Sequence, residues 1–232
     1  MAYTAWNDGG TPGTAGSSTI TTGSITDGNT VVIAFKGRSP NTPAFTHASG
    51  LNNVTLIAGP NDTGFGDDGT VNIYKATKNG TGTLTLTPSP TTMNWWRAIV
   101  VDCETDTVVD QGMIDEGLFD DTISYVSPTM PAGGGTGLGI VMSGRSDNLT
   151  LTAPTFTGLN VNAAHDQSNH RTSVAYGSLS IAASSTSTLT GSLSATGSHF
   201  DIWVLLQAGA SPVSEPRRRR QIPAAIMRQR RR

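Results

Sequence analysis

Two histidines and an aspartate come closest to a chemical site in this 232-residue sequence. The stretch HDQSNHR places His165 and His170 around Asp166. A zinc-peptidase site requires two histidines four residues apart on a helix, with a glutamate between them. Here the histidines are five residues apart, no glutamate lies between them, and the composition is typical of a loop. We therefore predict a solvated loop and no metal site, with glycan or ion binding as the alternative.

A second acidic stretch, NDTGFGDDGT, contains Asp62, Asp67 and Asp68. Calcium is bound by six to eight oxygens, often from acidic loops of this kind. The spacing differs from that of an EF-hand, however, and Asp and Gly are also common turn residues. We predict a turn, again with ion or glycan binding as the alternative. The carboxylates of DEGLFDD (115–121) have no aromatic sugar subsite beside them, so a glycosidase is not favoured.

Catalytic motifs are missing from the sequence. It contains no G-x-S-x-G elbow, and no Walker or dinucleotide-binding motif follows a predicted strand. The single cysteine, Cys103, excludes an intramolecular disulfide and a metal site built from cysteines. The sequence therefore predicts a protein that is not an enzyme and needs no cofactor.

Strands are the elements that must position these loops. Apolar or alternating runs recur between turns rich in Gly, Asn and Asp, which is typical of a β-sandwich or barrel. Only 14% of the residues are charged, against roughly 25% in average proteins, and 27 are glycine. The first half contains four predicted strands: TVVIAFKGR (30–38), VNIYKAT (71–77), TLTLTP (83–88) and WWRAIVVDC (95–103).

The second half repeats these four strand patterns in the same order, at LGIVMSGRS (138–146), SVAYGSLS (173–180), STSTLTGSLS (185–194) and SHFDIWVLLQA (198–208). A four-stranded sheet alone leaves one face uncovered, so we expect the two halves to close on each other. We predict an all-β, jelly-roll-like antiparallel sandwich over residues 17–210, built from four-strand halves at about 17–110 and 130–210. We expect residues 1–16 to form an N-terminal extension. The alternative to a single sandwich is two small sandwiches in tandem. Trp95, Trp96 and Trp203 lie in matched apolar strands and are predicted to be buried rather than to bind sugars.

The last 22 residues differ from this body in charge. Residues 1–210 contain seven basic and sixteen acidic residues (net −9), whereas residues 211–232 contain eight arginines and one acid (net +7). Eight arginines could neutralise several phosphates, but the acidic body would be repelled by DNA and no aromatic residue interleaves with the arginines to stack on bases. Nucleic acid is therefore the less favoured partner.

The apolar centre of this arm, QIPAAIM (221–227), favours a protein partner. A docking peptide uses apolar side chains for affinity and flanking charges for register. We predict an extended C-terminal docking arm over residues 211–232. Its docking residues are Arg217, Arg218, Arg219, Arg220, Ile222, Ile226, Met227, Arg228, Arg230, Arg231 and Arg232.

A family resemblance adds an expectation of function. The run GNTVVIAFKGRS, followed by VNIYKATKNGTGTLTLTPS and by an apolar strand that leads into ETD, resembles β-sandwich modules of tailed-bacteriophage virion proteins. The resemblance extends over residues 17–208 and implies a head-decoration, fibre or minor tail protein that binds other virion subunits. It supplies no catalytic residues. A carbohydrate-binding module that contacts host surface glycans is the alternative.

The remaining expectations concern location and assembly. The N-terminus has no secretory signal pattern, and the longest apolar runs are too short to cross a bilayer. We therefore expect synthesis in a cytoplasm and no membrane partner. The resemblance to phage proteins implies assembly in the bacterial cytoplasm and residence in the virion. Exposed strand edges and particle symmetry favour a homo-oligomer.

Overall fold

The computed structural model describes residues 3–7, 19–38, 44–47, 50–62, 70–89, 95–113, 120–143, 151–152, 163–165, 174–197 and 199–209. These residues form sixteen β-strands and, within the described ranges, no helix, which confirms the all-β prediction. The first eight strands are β1 (Thr4–Asn7), β2 (Ile20–Thr21), β3 (Thr30–Arg38), β4 (Ala44–His47), β5 (Leu51–Asp62), β6 (Thr70–Lys78), β7 (Thr85–Ser89) and β8 (Trp95–Asp102). The next eight are β9 (Thr107–Met113), β10 (Asp120–Val126), β11 (Gly135–Ser143), β12 (Leu151–Thr152), β13 (Ala163–His165), β14 (Val174–Ile181), β15 (Thr188–Gly197) and β16 (His199–Gln207).

The strand order of the first eight strands recurs in the second eight. The first repeat, residues 3–102, contains a five-stranded sheet ordered β1-β8-β3-β6-β5 and a three-stranded sheet ordered β2-β7-β4. The second repeat, residues 107–209, contains sheets ordered β9-β16-β11-β14-β13 and β10-β15-β12. When eight is added to each strand number of the first repeat, the strand orders of the second repeat result. Every described strand pair is antiparallel.

The number of strands in each half differs from the prediction. Each half contains eight strands and two sheets, not four strands, so each has its own two-layer sandwich. The additional strands have weak sequence signals because most of them are only two to four residues long. Strand β5 is long, but Asn52-Asn53 and Gly59-Pro60 interrupt it with residues typical of turns. The second repeat also begins with β9, ahead of the expected boundary near residue 130.

Three hydrophobic cores hold the sheets in four layers, of three, five, five and three strands. In the first repeat, Val31, Ile33 and Phe35 of β3 face the three-stranded sheet, where they pack with residues of β2 and β7. Their neighbours Val32 and Ala34 point to the other face because side chains alternate along a strand. Those two residues belong to a core shared by both repeats.

The core between the repeats is the largest of the three. The two five-stranded sheets pack face to face, with Ile99 and Val101 on the first sheet and Ile202, Val204 and Leu206 on the second. The third core, in the second repeat, includes Met130, Ile181 and Leu205. Each central strand is therefore buried on both faces.

Matching hydrogen bonds mark equivalent positions in the two repeats. The Thr22 hydroxyl donates to the carbonyl of the next residue at 2.7 Å and accepts the N–H of Leu84 at 2.9 Å. The Ser127 hydroxyl donates to the following carbonyl at 2.9 Å and accepts the N–H of Ser187 at 3.0 Å. The repeats thus share local structure as well as strand order, although the side chains differ.

Candidate functional site

The strand directions divide the body into two poles. Odd-numbered strands end at one pole, which we call the loop pole, and even-numbered strands end at the opposite pole, which we call the linker pole because it contains the connection between the repeats. Both repeats have the same polarity. Lys36, near the end of β3, lies over the ring of Phe200, near the start of β16. At the other pole Gly209, just after β16, abuts the backbone of Thr105 in the connection.

Two of the predicted site residues occupy equivalent positions at the loop pole. Asp62 is the last residue of β5 and pairs with Thr70. His165 is the last residue of β13, the equivalent strand of the second repeat, and pairs with Val174. The acidic stretch and the histidine stretch therefore follow equivalent strands and start from the same pole.

The structure does not bring Asp62 and His165 together. Strand β5 contacts β9, which lies at one edge of the second five-stranded sheet, and β13 lies at the opposite edge. Four strand spacings of about 4.8 Å separate those edges by roughly 19 Å. Asp62 and His165 thus belong to two separate corners of the loop pole. The other predicted residues of these stretches, Asp67, Asp68, Asp166 and His170, lie outside the described residues.

The C-terminal arm starts from the linker pole. Strand β16 ends at Gln207, and the described chain continues to Gly209 against the connection between the repeats. All the predicted docking residues, from Arg217 to Arg232, lie outside the described residues. Gly209 is therefore at the opposite pole of the body from Asp62 and His165.

Hydrogen bonds fix the connection at the linker pole. The hydroxyl of buried Tyr3, just before β1, donates to Asp106 Oδ2 at 2.5 Å. Asp102 Oδ1 accepts from Asn29 Nδ2 at 2.8 Å and from the N–H of Glu104 at 2.9 Å. Burial, and secondly the hydrogen bond to Asp106, raise the pKa of the Tyr3 phenol far above its ordinary value. These contacts tie Tyr3 and the first repeat to the connection.

The raised pKa of Tyr3 predicts a loss of stability at high pH. In the unfolded chain the phenol ionises with a pKa near its ordinary value of 10.0, whereas the folded protein keeps it protonated. The unfolded state therefore binds fewer protons above pH 10, and stability falls as the pH rises through that value. We expect Tyr3→Phe to cost about 1 kcal/mol at neutral pH and to reduce the loss of stability between pH 9 and pH 11. Urea unfolding at both pH values measures this effect, and a pH dependence identical to that of the unaltered protein would contradict it.

Three buried polar side chains were not identified from the sequence. His199 Nδ1 lies 3.0 Å from Asp201 Oδ1 on β16, and both side chains are enclosed. The Lys36 Nζ atom lies 4.7 Å from the centroid of the Phe200 ring in the core between the repeats. The only signal in the sequence is a polar residue that interrupts an apolar strand. Because the His199–Asp201 pair is enclosed, it contributes to the interior rather than to a site open to substrate.

The cysteine and two of the tryptophans are also enclosed. Cys103 is fully buried, and burial raises the pKa of its thiol well above its ordinary value, which disfavours the nucleophilic thiolate. Trp96 and Trp203 are buried, as predicted, and so do not form a sugar-binding platform. The side chain of Trp95 lies outside the described part of the chain. Within the described ranges no three His, Cys, Asp or Glu residues form a group that could hold a metal ion.

Comparison of the chain with protein-family models, with curated proteins and with solved structures finds no match. No helix among the described residues is long and apolar enough to span a bilayer. The described feature that bears on function is the polarity of the body, with Gly209 at one pole and Asp62 and His165 at the other.

Proposed function

We propose that this chain is a non-enzymatic structural protein of a bacteriophage particle, exposed as a head-decoration, fibre or minor tail protein. The arm binds other virion subunits, and the body projects from them. The observation that carries the proposal is that Gly209, from which the arm continues, lies at the pole opposite to Asp62 and His165. A protein held by its arm would therefore present its loop pole outward.

The charges and the apolar residues of the arm support a protein partner. The arm carries a net charge of +7 beside a body of −9, so it is suited to an acidic groove on another subunit. Ile222, Ile226 and Met227 offer apolar surface between the arginine clusters. Apolar anchors of this kind supply affinity in peptide–groove complexes, whereas the charges speed association and set orientation.

The four-layer body suits a load-carrying role in a particle. The central strands of both five-stranded sheets are buried on both faces. The short connection between the repeats hydrogen-bonds to Thr30 of the first repeat and packs against Gly209 of the second. The repeats therefore form one body around a shared core, which would transmit force between the arm and the loop pole without an internal hinge.

Binding of variants to particles that lack this protein tests the proposal. The double variant Ile222→Asp, Ile226→Asp keeps all eight arginines of the arm but removes two apolar anchors. We expect it to co-sediment with the particles at least tenfold more weakly than the unaltered chain. The matched control Ser211→Asp, Ser214→Asp introduces the same charge outside the apolar centre and should bind nearly as well as the unaltered chain.

A nucleic-acid role of the arm leads to different results in the same experiment. If eight arginines bound phosphates, the logarithm of the binding constant would fall with the logarithm of salt concentration with a slope of roughly −7. The two double variants would then weaken binding equally, because they change the charge equally. That outcome, together with strong retardation of DNA by the unaltered chain, would contradict the proposed docking to protein.

A carbohydrate-binding role at the loop pole is the second candidate. It is favoured by the equivalent placement of Asp62 and His165, each followed by a polar stretch at the pole away from the arm. In this role the loops at 61–69 and 165–171 would contact host surface glycans. An array of such glycans probed with the full chain tests it, and binding that is lost in the Asp67→Asn, Asp68→Asn variant would favour it.

A further inference from the structure

A groove of about 270 Å³ opens between the two repeats, on the side of the body where β5 packs against β9. Its walls come from β3, β5 and β6 of the first repeat and from β9 of the second. The polar residues that line it are Thr30, Asn53, Thr55, Lys75, Thr77 and Thr107. The groove lies near the linker pole, because β3 and β9 both start there, and it is separate from the loops discussed above.

The lining of the groove combines hydroxyl groups with a single cation. Four threonine hydroxyls and the Asn53 amide can each donate and accept hydrogen bonds, and Lys75 supplies an ammonium group. Val108 adds a small apolar surface. None of the described lining residues is acidic. Such a lining is suited to a ligand that has many hydroxyl groups and one negative charge.

A β-bulge shapes the wall of the groove at Asn53. Asn52 pairs with Thr77 and Thr55 pairs with Lys75, so two residues of β5 lie opposite the single residue between those partners on β6. Asn53 has a φ of 53°, in the left-handed region that Asn tolerates better than most residues. Bulges are common beside binding sites, where they redirect a side chain. This bulge places the Asn53 amide in the same groove as Lys75.

Two described carboxylates near the linker pole are engaged elsewhere, and the exposed Glu104 does not line the groove. Asp106 precedes Thr107 but is buried and accepts a hydrogen bond from Tyr3. Asp102 accepts from Asn29 and from the backbone of Glu104. Neither carboxylate lines the groove, so Lys75 is the charged group that a ligand in the groove would meet.

We propose that this groove binds a sugar unit that carries a carboxylate group. The carboxylate would accept charge-assisted hydrogen bonds from the Lys75 ammonium group, which are stronger than neutral ones. The threonine hydroxyls and the Asn53 amide would pair with the sugar hydroxyls. The groove has room for a small ligand, since pockets for drug-sized molecules begin at about 300 Å³. The proposal does not depend on the arm or on residence in a virion.

Titration of the full, ¹⁵N-labelled chain with D-glucuronate, followed by NMR, tests the proposal. We expect amide shifts at Thr30, Asn53, Thr55, Thr77 and Thr107, and a dissociation constant at least tenfold lower for glucuronate than for D-glucose. Acetate, which has the carboxylate but no hydroxyls, should also bind at least tenfold more weakly than glucuronate. Preferential binding of acetate over glucuronate would show a simple anion site and overturn the sugar assignment.

Two variants test the assigned roles of the side chains. Lys75→Met keeps an unbranched side chain and removes the charge, and we expect glucuronate binding to weaken at least tenfold while the weak binding of glucose is unchanged. Asn53→Gly suits the left-handed backbone and removes only the amide, and it should weaken both sugars. Thr21→Val, on an exposed residue of β2 away from the groove, serves as the control. Shifts confined to the loop pole, or glucuronate binding that both groove variants leave unchanged, would overturn the proposal.

Discussion

Replacing Trp203 by alanine is expected to destabilise the body by about 3–5 kcal/mol, the usual cost of removing a buried aromatic side chain. Trp203 is fully buried on the central strand β16. Its ring fits over Gly137 of β11, where an added methyl group would lie 2.9 Å from the ring. Its indole N–H also donates to the Tyr125 carbonyl at 3.2 Å, so alanine would leave that acceptor unpaired. Equilibrium unfolding in urea, followed by circular dichroism, measures the effect.

Two further variants separate packing from hydrogen bonding at this position. Trp203→Phe keeps much of the apolar surface but loses the N–H, so it should cost less than the alanine variant. Val126→Ala alters a residue that is 53% exposed and should change the free energy of unfolding by no more than about 0.5 kcal/mol. If the free energy of unfolding of the Trp203→Ala variant lay within about 0.5 kcal/mol of that of the unaltered protein, the result would contradict the described core.

The same unfolding experiment tests whether the two repeats unfold as one cooperative unit. Because the two repeats share one core, loss of Trp203 in the second repeat should lower the stability of the first repeat as well. We expect one unfolding transition, reported equally by probes in both repeats. Two separate transitions, with only the second repeat affected, would show that each repeat folds independently.

Deleting residues 211–232 is expected to leave the body folded and to reduce incorporation into particles at least tenfold. The deletion leaves every described residue in place, including Gly209 against the connection, so we expect the free energy of unfolding to change by no more than about 0.5 kcal/mol. The deletion also shifts the net charge from −2 to −9, which removes the attraction to an acidic partner. Quantifying the chain in purified particles measures the loss.

A scrambled arm controls for charge and length in this deletion. A 22-residue arm of the same composition but without the apolar block at 221–227 should restore little of the incorporation, whereas the natural arm should restore all of it. Truncated protein present in particles at full occupancy would show that the body alone carries the binding surface, and the arm would then not be the anchor.

The central strands could be predicted because their patterns are strong and local. The strand predicted at 30–38 is β3, and the strand predicted at 95–103 is β8 to within one residue. Continuous apolar runs of this length are typical of strands that are buried on both faces. Strands β1, β2, β4, β12 and β13 have four residues or fewer. They are fixed by pairing with neighbours rather than by their own pattern, so the sequence alone did not reveal them.

The order of the repeated strands was easier to predict than their register. The match of LGIVMSGRS with VVIAFKGRS aligns Leu138 with Val31, yet Leu138 faces the other repeat and Val31 faces the three-stranded sheet of its own repeat. A shift by an odd number of residues exchanges the two faces of a strand. Strand β11 carries Gly135, Gly137 and Gly139 on one face, so its apolar alternation is too weak to fix the register.

The candidate sites could likewise be predicted only as local patterns, and not in their spatial placement. The acidic and histidine stretches were evident as local patterns, but their placement at separate corners of one pole depends on strand order. The groove could not be predicted, because Thr30, Asn53, Lys75 and Thr107 are far apart in sequence and meet only through sheet pairing and packing between the repeats. The bulge that directs Asn53 also has no distinct sequence signal.

The orientation of this chain in a purified particle tests the central claim most directly. A reconstruction of the particle would show the body as four layers of strands, with the connection at residues 103–106 and the root of the arm at Gly209 marking the linker pole. We predict that this pole faces the subunits of the particle and that Asp62 and His165 lie at the outer end. Contact with the particle through the loop pole, with Gly209 facing outward, would contradict the account.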